Sequence, residues 1–262
     1  VLGTPGSRGW LQALISGIIR FTVRANRAHA LVQNLDDRQD VLERGFAVDD
    51  RLHVIRGSGV DVRGLQPMPE PPEPIVATMV SRILWDKGVA ELVEAARILH
   101  ARRVPVTVRL VGDRDAANPN SAGADDLQRW RAAGDVELPG YSTDVGQVWA
   151  ESHIALLPSY REGMPKSLLE PAACGRPLVT TDTTGCRDLV PDGSTGILVP
   201  LYDAKALADA IQNLAENPEM RRRMGRNARA LVEREFSEER VIAGTQALYR
   251  DLAARAAGRR RG

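Results

Sequence analysis

IALLPSYREGMPKSLLEPAACGRPLVTTD (154–182) decides the fold. IALLPS (154–159) is an apolar run of strand length and PLVTTD (177–182) is a second one, with a helix between them; the stretch reads as strand, helix, strand. Such a unit builds a parallel sheet. Gly163 and Pro165 break the chain out of the first strand, and Pro165 suits the first helical position, where its missing N–H is not needed. The helix is therefore expected to begin near Pro165. Its amides at Lys166, Ser167 and Leu168, together with the positive end of the helix dipole, would make an anion site of the kind a diphosphate fits. Glu162 lies just before that helix end and Glu170 lies inside it, about 8–12 Å apart along the axis at about 1.5 Å per residue. A carboxylate on each side of the phosphates can accept hydrogen bonds from hydroxyl groups at both ends of a ligand. Spacing alone leaves a plainer reading open, in which both glutamates are solvated residues near a helix start, where negative charge is favourable.

Outward from this unit, strands and helices alternate. IVATMV (75–80) precedes the helix GVAELVEAARILHARR (88–103), VTVRLVGD (106–113) precedes DLQRWRAAG (126–134), and VELPG (136–140) precedes DVGQVWAES (144–152). GILV (196–199) completes the sheet and two or three helices close the chain. The fold class is α/β, a Rossmann-like parallel sheet with flanking helices, whose ligand sites follow the C-terminal ends of strands. PMPEPPEP (67–74) holds five prolines in eight residues and reads as a stiff, extended linker. Before it, HALVQN (29–34) reads as a strand, DDRQDVLERG as a short helix closed by Gly45, and LHVIRGSGVDV (52–62) as a strand running into a glycine-rich hinge. LQALISGIIRFTVRA repeats apolar residues at helical spacing among Arg20, Arg24 and Arg27. A core-packing helix of a truncated N-terminal domain is its first reading and a basic membrane-surface helix its second. The tail GRRRG (258–262) reads as a solvated end, with anionic lipid as a minor alternative.

Composition narrows the function classes. In 262 residues, 35 Lys and Arg balance 34 Asp and Glu, a net charge of +1, so there is no global electrostatic case for nucleic acid. Cys174 and Cys186 make no metal or disulfide framework, and a reducing cytoplasm is the simplest setting. No apolar run reaches the ~18 residues of a membrane span and no signal peptide is recognisable. His29, His53, His100 and His153 are scattered, and the adjacent pairs Asp36–Asp37 and Asp125–Asp126 look like helix starts, so no metal site is expected. The basic residues are almost all arginine. Of the three lysines, Lys87 and Lys166 fall inside the two candidate phosphate motifs.

EGMPKSLLEPAACGRPLVTTDTTGCRDLVPDGSTGILVP (162–200), preceded by LLPS, resembles the donor-binding half of retaining glycosyltransferases of family four, which have the GT-B fold. VSRILWDKG (80–88) resembles the same family's diphosphate-binding arginine and lysine, here Arg82 and Lys87. The resemblance runs from about Ala30 to Tyr249. QNLDDRQDVLERG (33–45) and GSGVDV (57–62) bring it nearest to members that act on lipid-linked or capsular acceptors. It implies four segments: a remnant of the N-terminal acceptor domain with its hinge (1–62), a Pro-rich linker (63–74), a nucleotide-sugar donor domain (75–236), and a crossover helix with a basic tail (237–262). Complete members are longer and this chain starts at Val1, so much of the N-terminal domain is expected to be absent.

The resemblance further implies a UDP-sugar donor, a saccharide or polyprenyl-diphosphate-linked acceptor, and no resident metal or cofactor. It implies a cytoplasmic location, with peripheral contact at the inner face of the membrane as an added reading. Glu162, Arg82 and Lys87 become the catalytic candidates. Gly163, Met164, Lys166, Ser167, Leu168 and Glu170 become donor contacts, with Gly140, Tyr141 and Ser142 against the base. Pro165 stands where many members have glycine and supplies no N–H, so the donor sugar does not carry over from them. Two alternatives remain: a non-catalytic nucleotide-sugar-binding module, and an isomerase resembling UDP-N-acetylglucosamine 2-epimerase.

Overall fold

The computed structural model describes residues 9–25 and 28–259. The chain divides after Arg56 into two compact units, Val1–Arg56 and Gly57–Gly262. The first unit contains helix α1 (Gly9–Ala25) and a small βαβ motif: strand β1 (Ala30–Val32), helix α2 (Leu35–Glu43) and strand β2 (Leu52–Val54), with β1 and β2 parallel. Asn34 caps α2 by accepting from the Asp37 amide at 2.6 Å, and Gly45 (φ +64) turns the chain beyond its end. Leu14, Ile15, Ile18, Ile19 and Phe21 share one side of α1 and are all exposed. Arg27, and the tail residues 260–262, lie outside the described residues.

In the second unit six strands form one parallel sheet: β3 (Ile75–Val80), β4 (Val106–Val111), β5 (Val136–Gly140), β6 (Ile154–Leu157), β7 (Leu178–Thr181) and β8 (Gly196–Val199). Their spatial order is β5-β4-β3-β6-β7-β8, the doubly wound order in which direction reverses between the first and fourth strands. Helices pack on both faces: α3 (Val89–Ala101) against α7 (Ala204–Glu216), and α6 (Lys166–Ala173) against α5 (Val145–Ala150) and α8 (Pro218–Glu235). That is why β6 is an unbroken apolar run. Ile154, Ala155, Leu156 and Leu157 are all fully buried, as a strand covered on both faces requires. Helix α4 (Ala124–Ala133) packs beside β5.

The segment expected to be a spacer is instead a strap held to the sheet. Glu70 accepts from Arg221 at 2.7 and 3.1 Å and from Arg222 at 3.0 Å, the Pro69 carbonyl accepts from buried Arg176, and the Pro71 carbonyl lies 3.0 Å from His153 Nε2. Side chains of the domain thus meet the strap at two carbonyls, through Arg176 and His153, and at the Glu70 carboxylate, through Arg221 and Arg222. The hinge is also tied down, since Val60 bridges Ser237 at the junction of α8 with the last helix, α9 (Glu238–Arg259). From 238 to 257 no residue of α9 is buried. No helix among the described residues is long and apolar enough to cross a membrane.

His153 supplies a pH test of the strap. Its Nδ1 accepts from the Val76 amide at 3.1 Å while Nε2 faces the Pro71 carbonyl, so only the neutral, Nε2-protonated ring satisfies both. Burial pushes its pKa below the usual histidine value, a bond to Pro71 pulling the other way. The unfolded chain therefore takes the proton first, and the stabilisation present near neutral pH is lost as pH falls below about 6.5. Urea denaturation between about pH 6.5 and 5 is expected to show the midpoint falling, with a flatter slope in His153→Gln.

Candidate functional site

The site is assembled where the sheet reverses direction, between β3 and β6. After β3 the chain passes through a 3-10 turn, Trp85–Lys87, into Gly88 (φ +75) and α3. A Cβ on Gly88 would lie 2.0 Å from the Pro158 carbonyl oxygen, so this loop presses on the end of β6. The Asp86 carbonyl accepts from the Tyr160 amide at 2.9 Å and from the Ser159 hydroxyl at 3.2 Å. From the other side the Thr180 and Thr183 hydroxyls donate to the Leu157 and Tyr160 carbonyls at 2.7 and 2.9 Å, and Thr181 donates to Ser159. Gly185 (φ +76) closes the same region, with room for a Cβ only 2.3 Å from the Gly163 carbonyl oxygen.

This stitching brings Lys87 and Glu162 into an ion pair of 2.6 Å although 75 residues separate them. The pair is mostly shielded, with 22% and 12% of the two side chains exposed. An ammonium has three donors, so Lys87 keeps two for another anion. Beyond Glu162, Pro165 is the N-cap of α6 rather than its first residue, and the helix runs from Lys166. The Leu168 amide already donates to the Pro165 carbonyl at 3.1 Å. The expected three-amide anion site is thereby reduced to the amides of Lys166 and Ser167.

Two of the expected donor contacts turn their side chains inward. The Met164 side chain is buried and packs at Gly57, and the Leu168 side chain is wholly buried in the core, so neither offers a side chain to a ligand. They fill the apolar side of the α6 entry. Glu170 lies inside α6. It is half-buried and its side chain has no hydrogen-bond or ion-pair partner among the described residues; burial pushes its pKa above the usual value, with Lys166 pulling it back in part. A half-buried acceptor without a donor is poised for one. The two cysteines are buried thiols, pushed by burial to about 11 for Cys174 and about 12 for Cys186, with Glu162 adding to the latter. Neither is a nucleophile at neutral pH.

Arg82, Tyr141 and Ser142 meet elsewhere on the same edge. They line a cleft of about 520 Å³ at the ends of β3, β4 and β5, together with Ser81, Gly112 and Asp113. Arg82 is largely exposed and sits 3.3 Å from Asp115; Tyr141 is exposed as well. Gly140 (φ +93) gives the turn from β5 into Tyr141, and its carbonyl accepts from the Gly112 amide at 2.9 Å. Lys87, Glu162 and Glu170 do not line this cleft. Sequence reading missed Gly112, whose Cβ would fall 1.9 Å from the Ser81 carbonyl oxygen, and Asp113 beside it. The signal was present in VGD, a glycine and an acid directly after a strand.

Residues 65–231 match the family described as Glycosyl transferases group 1. The chain belongs to that family. It is 28% identical over 237 residues to the N,N'-diacetylbacillosaminyl-diphospho-undecaprenol alpha-1,3-N-acetylgalactosaminyltransferase of Campylobacter jejuni, covering 83% of this chain and 61% of that protein. Over 170 residues it is 29% identical to the capsular polysaccharide biosynthesis glycosyltransferase CapM of Staphylococcus aureus, covering 65% of this chain and 44% of that one. The chain thus spans about half the length of these relatives. Its fold is shared with HepE of Anabaena, solved with UDP and glucose, at a TM-score of 0.74 and 20% identity over 91% of this chain and 67% of that one. The parallel sheet of the group 1 glycosyl transferases is the expected half of a GT-B architecture.

Gly88 offers a direct test of how the two loops are held. Gly134 has a similar φ of +73 but nothing within 4 Å of a built Cβ. Gly134→Ala is expected to cost about 1 kcal/mol from backbone strain alone. Gly88→Ala is expected to cost about 2–4 kcal/mol, because the Pro158 carbonyl must also move. Guanidinium denaturation of both variants measures the difference.

Proposed function

We propose that this chain carries the donor-binding half of a retaining glycosyltransferase, which moves a hexose or N-acetylhexosamine from a UDP-sugar to a polysaccharide or lipid-linked saccharide. The observation that carries the reading is the shielded Lys87–Glu162 pair beside the start of α6, with unpartnered Glu170 one and a half turns further in. The UDP held by HepE and the undecaprenol-linked and capsular roles in the relatives' names support the substrate classes.

In this reading the diphosphate lies against Lys87, Arg82 and the amides of Lys166 and Ser167. Glu170 accepts from the ribose hydroxyls, and Gly140, Tyr141 and Ser142 border the base in the adjoining cleft. Glu162 fixes Lys87 and faces the transferred sugar. The bond from the anomeric carbon to the diphosphate oxygen breaks with its electron pair going to the diphosphate. The acceptor oxygen adds on the same face, and its proton passes to the leaving phosphate oxygen. The protein's share is electrostatic: fixed cations and amides aimed at charge that grows on the leaving group. These cations serve without a bound metal, and the work is placed at the inner face of the cell membrane, where a lipid-linked acceptor would be met.

Calorimetric titration with UDP and UDP-sugars, with and without EDTA, tests the donor site. UDP is expected to bind with or without chelator, and Lys87→Ala to weaken it at least tenfold, the loss of one charge-assisted contact of about 1.5–3 kcal/mol. Absence of nucleotide binding would sink the reading; binding without transfer in the presence of acceptor would leave a nucleotide-sugar-binding module. The pH dependence has a defined sign. A ribose hydroxyl donates to the carboxylate form of Glu170, whose pKa burial raises. UDP affinity should therefore fall as pH drops towards a value above the ordinary glutamate range, and Glu170→Gln should lose that acid limb.

A further inference from the structure

The opposite end of the strands holds a second concentration of charge. Arg176 precedes β7 by two residues and Glu70 precedes β3, whereas Lys87 and Glu162 follow the ends of β3 and β6. A cavity of about 510 Å³ opens there, lined by residues 67–69 of the strap, by Arg176, and by Arg222, Arg226 and Arg229 of α8. Glu70 is the only acidic residue among those lining it.

The four arginines are not equivalent. Arg229 is spent on structure: its Nη1 donates to the Leu65 and Ala173 carbonyls at 2.6 and 2.7 Å, its Nη2 to Val62 at 2.7 Å, and its Nε to Glu233. Glu70 is taken by Arg221 and Arg222, whose hydrogen bonds outweigh its burial and hold its carboxyl below the usual range. Arg176 is different. It is 1% exposed, donates from Nε to the Trp149 carbonyl and from Nη2 to the Pro69 carbonyl at 3.0 Å each, and has no carboxylate partner among the described residues. Arg226 is exposed and has no hydrogen-bond or ion-pair partner among them. Two guanidinium groups without an ion-pair partner therefore line one cavity; Glu70 acts on Arg176 only at longer range and is already shared by Arg221 and Arg222. A buried charge in that state is costly unless an anion meets it.

We propose that this cavity binds the phosphate group of an anionic ligand, with Arg176 and Arg226 as its cations and Arg222 as a further donor on α8. Arg222 and Arg226 are one turn apart and so lie on one face of the helix, and a guanidinium presents paired N–H donors that match phosphate oxygens. Residues 67–69, Pro-Met-Pro, give the same cavity an apolar side that tolerates an ester substituent. The phosphate comes from either a free phosphate or diphosphate, or the headgroup of a membrane lipid. The site is independent of the donor reading, since none of its residues belongs to the Lys87 edge.

The test uses the whole chain and the variants Arg226→Gln, Arg226→Glu and Lys87→Ala. Inorganic phosphate and pyrophosphate are titrated calorimetrically, and sedimentation is measured with phosphatidylcholine vesicles with and without phosphatidylglycerol. Arg226 is exposed and unpaired, so its replacement leaves folding intact, which thermal denaturation checks. Either free anion binding or glycerophospholipid binding that weakens about tenfold in Arg226→Gln, further in Arg226→Glu, and persists in Lys87→Ala supports the proposal and identifies the source. Binding lost only in Lys87→Ala assigns the anion to the other edge and overturns it. No binding of either probe, or binding indifferent to Arg226, overturns it as well.

Discussion

The Asp86 carbonyl, shared by the Tyr160 amide and the Ser159 hydroxyl, is the contact on which the site's geometry rests. Between β3 and β6 the sheet is at its weakest laterally: only Ala77 with Ile154 and Thr78 with Ala155 pair across it. Strand pairing alone would leave the loops beyond these short partners free to diverge. Asp86 ties them instead, Gly88 lets them approach to van der Waals limits at Pro158, and three threonine hydroxyls hold the β6 loop from β7. The Lys87–Glu162 pair is a consequence of this stitching. An ion pair between two free surface loops contributes little; between loops already held by backbone bonds, the side chains lose little further freedom, and the pair becomes a fixed electrostatic feature.

Fixing matters more than pairing for the proposed chemistry. A leaving diphosphate needs positive charge in place before it departs, because reorganising mobile cations during the step would raise the barrier. Lys87 is held by Glu162 yet retains donors, and its carboxylate partner keeps the local charge near neutral while the site is empty. Glu170 shows the complementary condition, an acceptor half-withdrawn from water with nothing to accept from. Each group is stable enough to persist without ligand and better satisfied with one. The two halves of the edge divide the labour: the β3–β6 loops concentrate charge, and the cleft at the ends of β3, β4 and β5 offers shape.

The sheet was legible because burial on both faces imposes a rule on sequence. IVATMV, VELPG and GILV coincide with β3, β5 and β8, and the glycine and proline punctuation falls where the loops begin. The Lys87–Glu162 encounter was legible only through the resemblance, since no local pattern relates residues 75 apart. The burial of the Met164 and Leu168 side chains was not legible: a motif fixes which segment meets a ligand but not which side chains turn inward, and at the α6 entry the apolar ones do. Gly112 and Asp113 went unassigned because their place in the cleft depends on Ser81 and Gly140, brought near only by strand order. The strap misled for want of its partners, as five prolines describe a stiff backbone and say nothing of Arg176 and His153 at its carbonyls or Arg221 at its Glu70 carboxylate.

Arg176 connects the strap to the rest of the argument. A guanidinium that served only to hold the Pro69 and Trp149 carbonyls would carry its charge at a cost, because it gives up hydration for two neutral acceptors and only the longer-range charge of Glu70, which Arg221 and Arg222 already share. A neutral donor would hold carbonyls at less expense. The neighbouring charges follow the opposite logic: Glu70 is matched by Arg221, and Arg229 by Glu233 and three carbonyls. Where this chain needs an arginine for structure it balances it. Arg176 and Arg226, neither of them in an ion pair, line the cavity at the end of the strands remote from Lys87, and in the proposed reading the balancing charge arrives with a ligand.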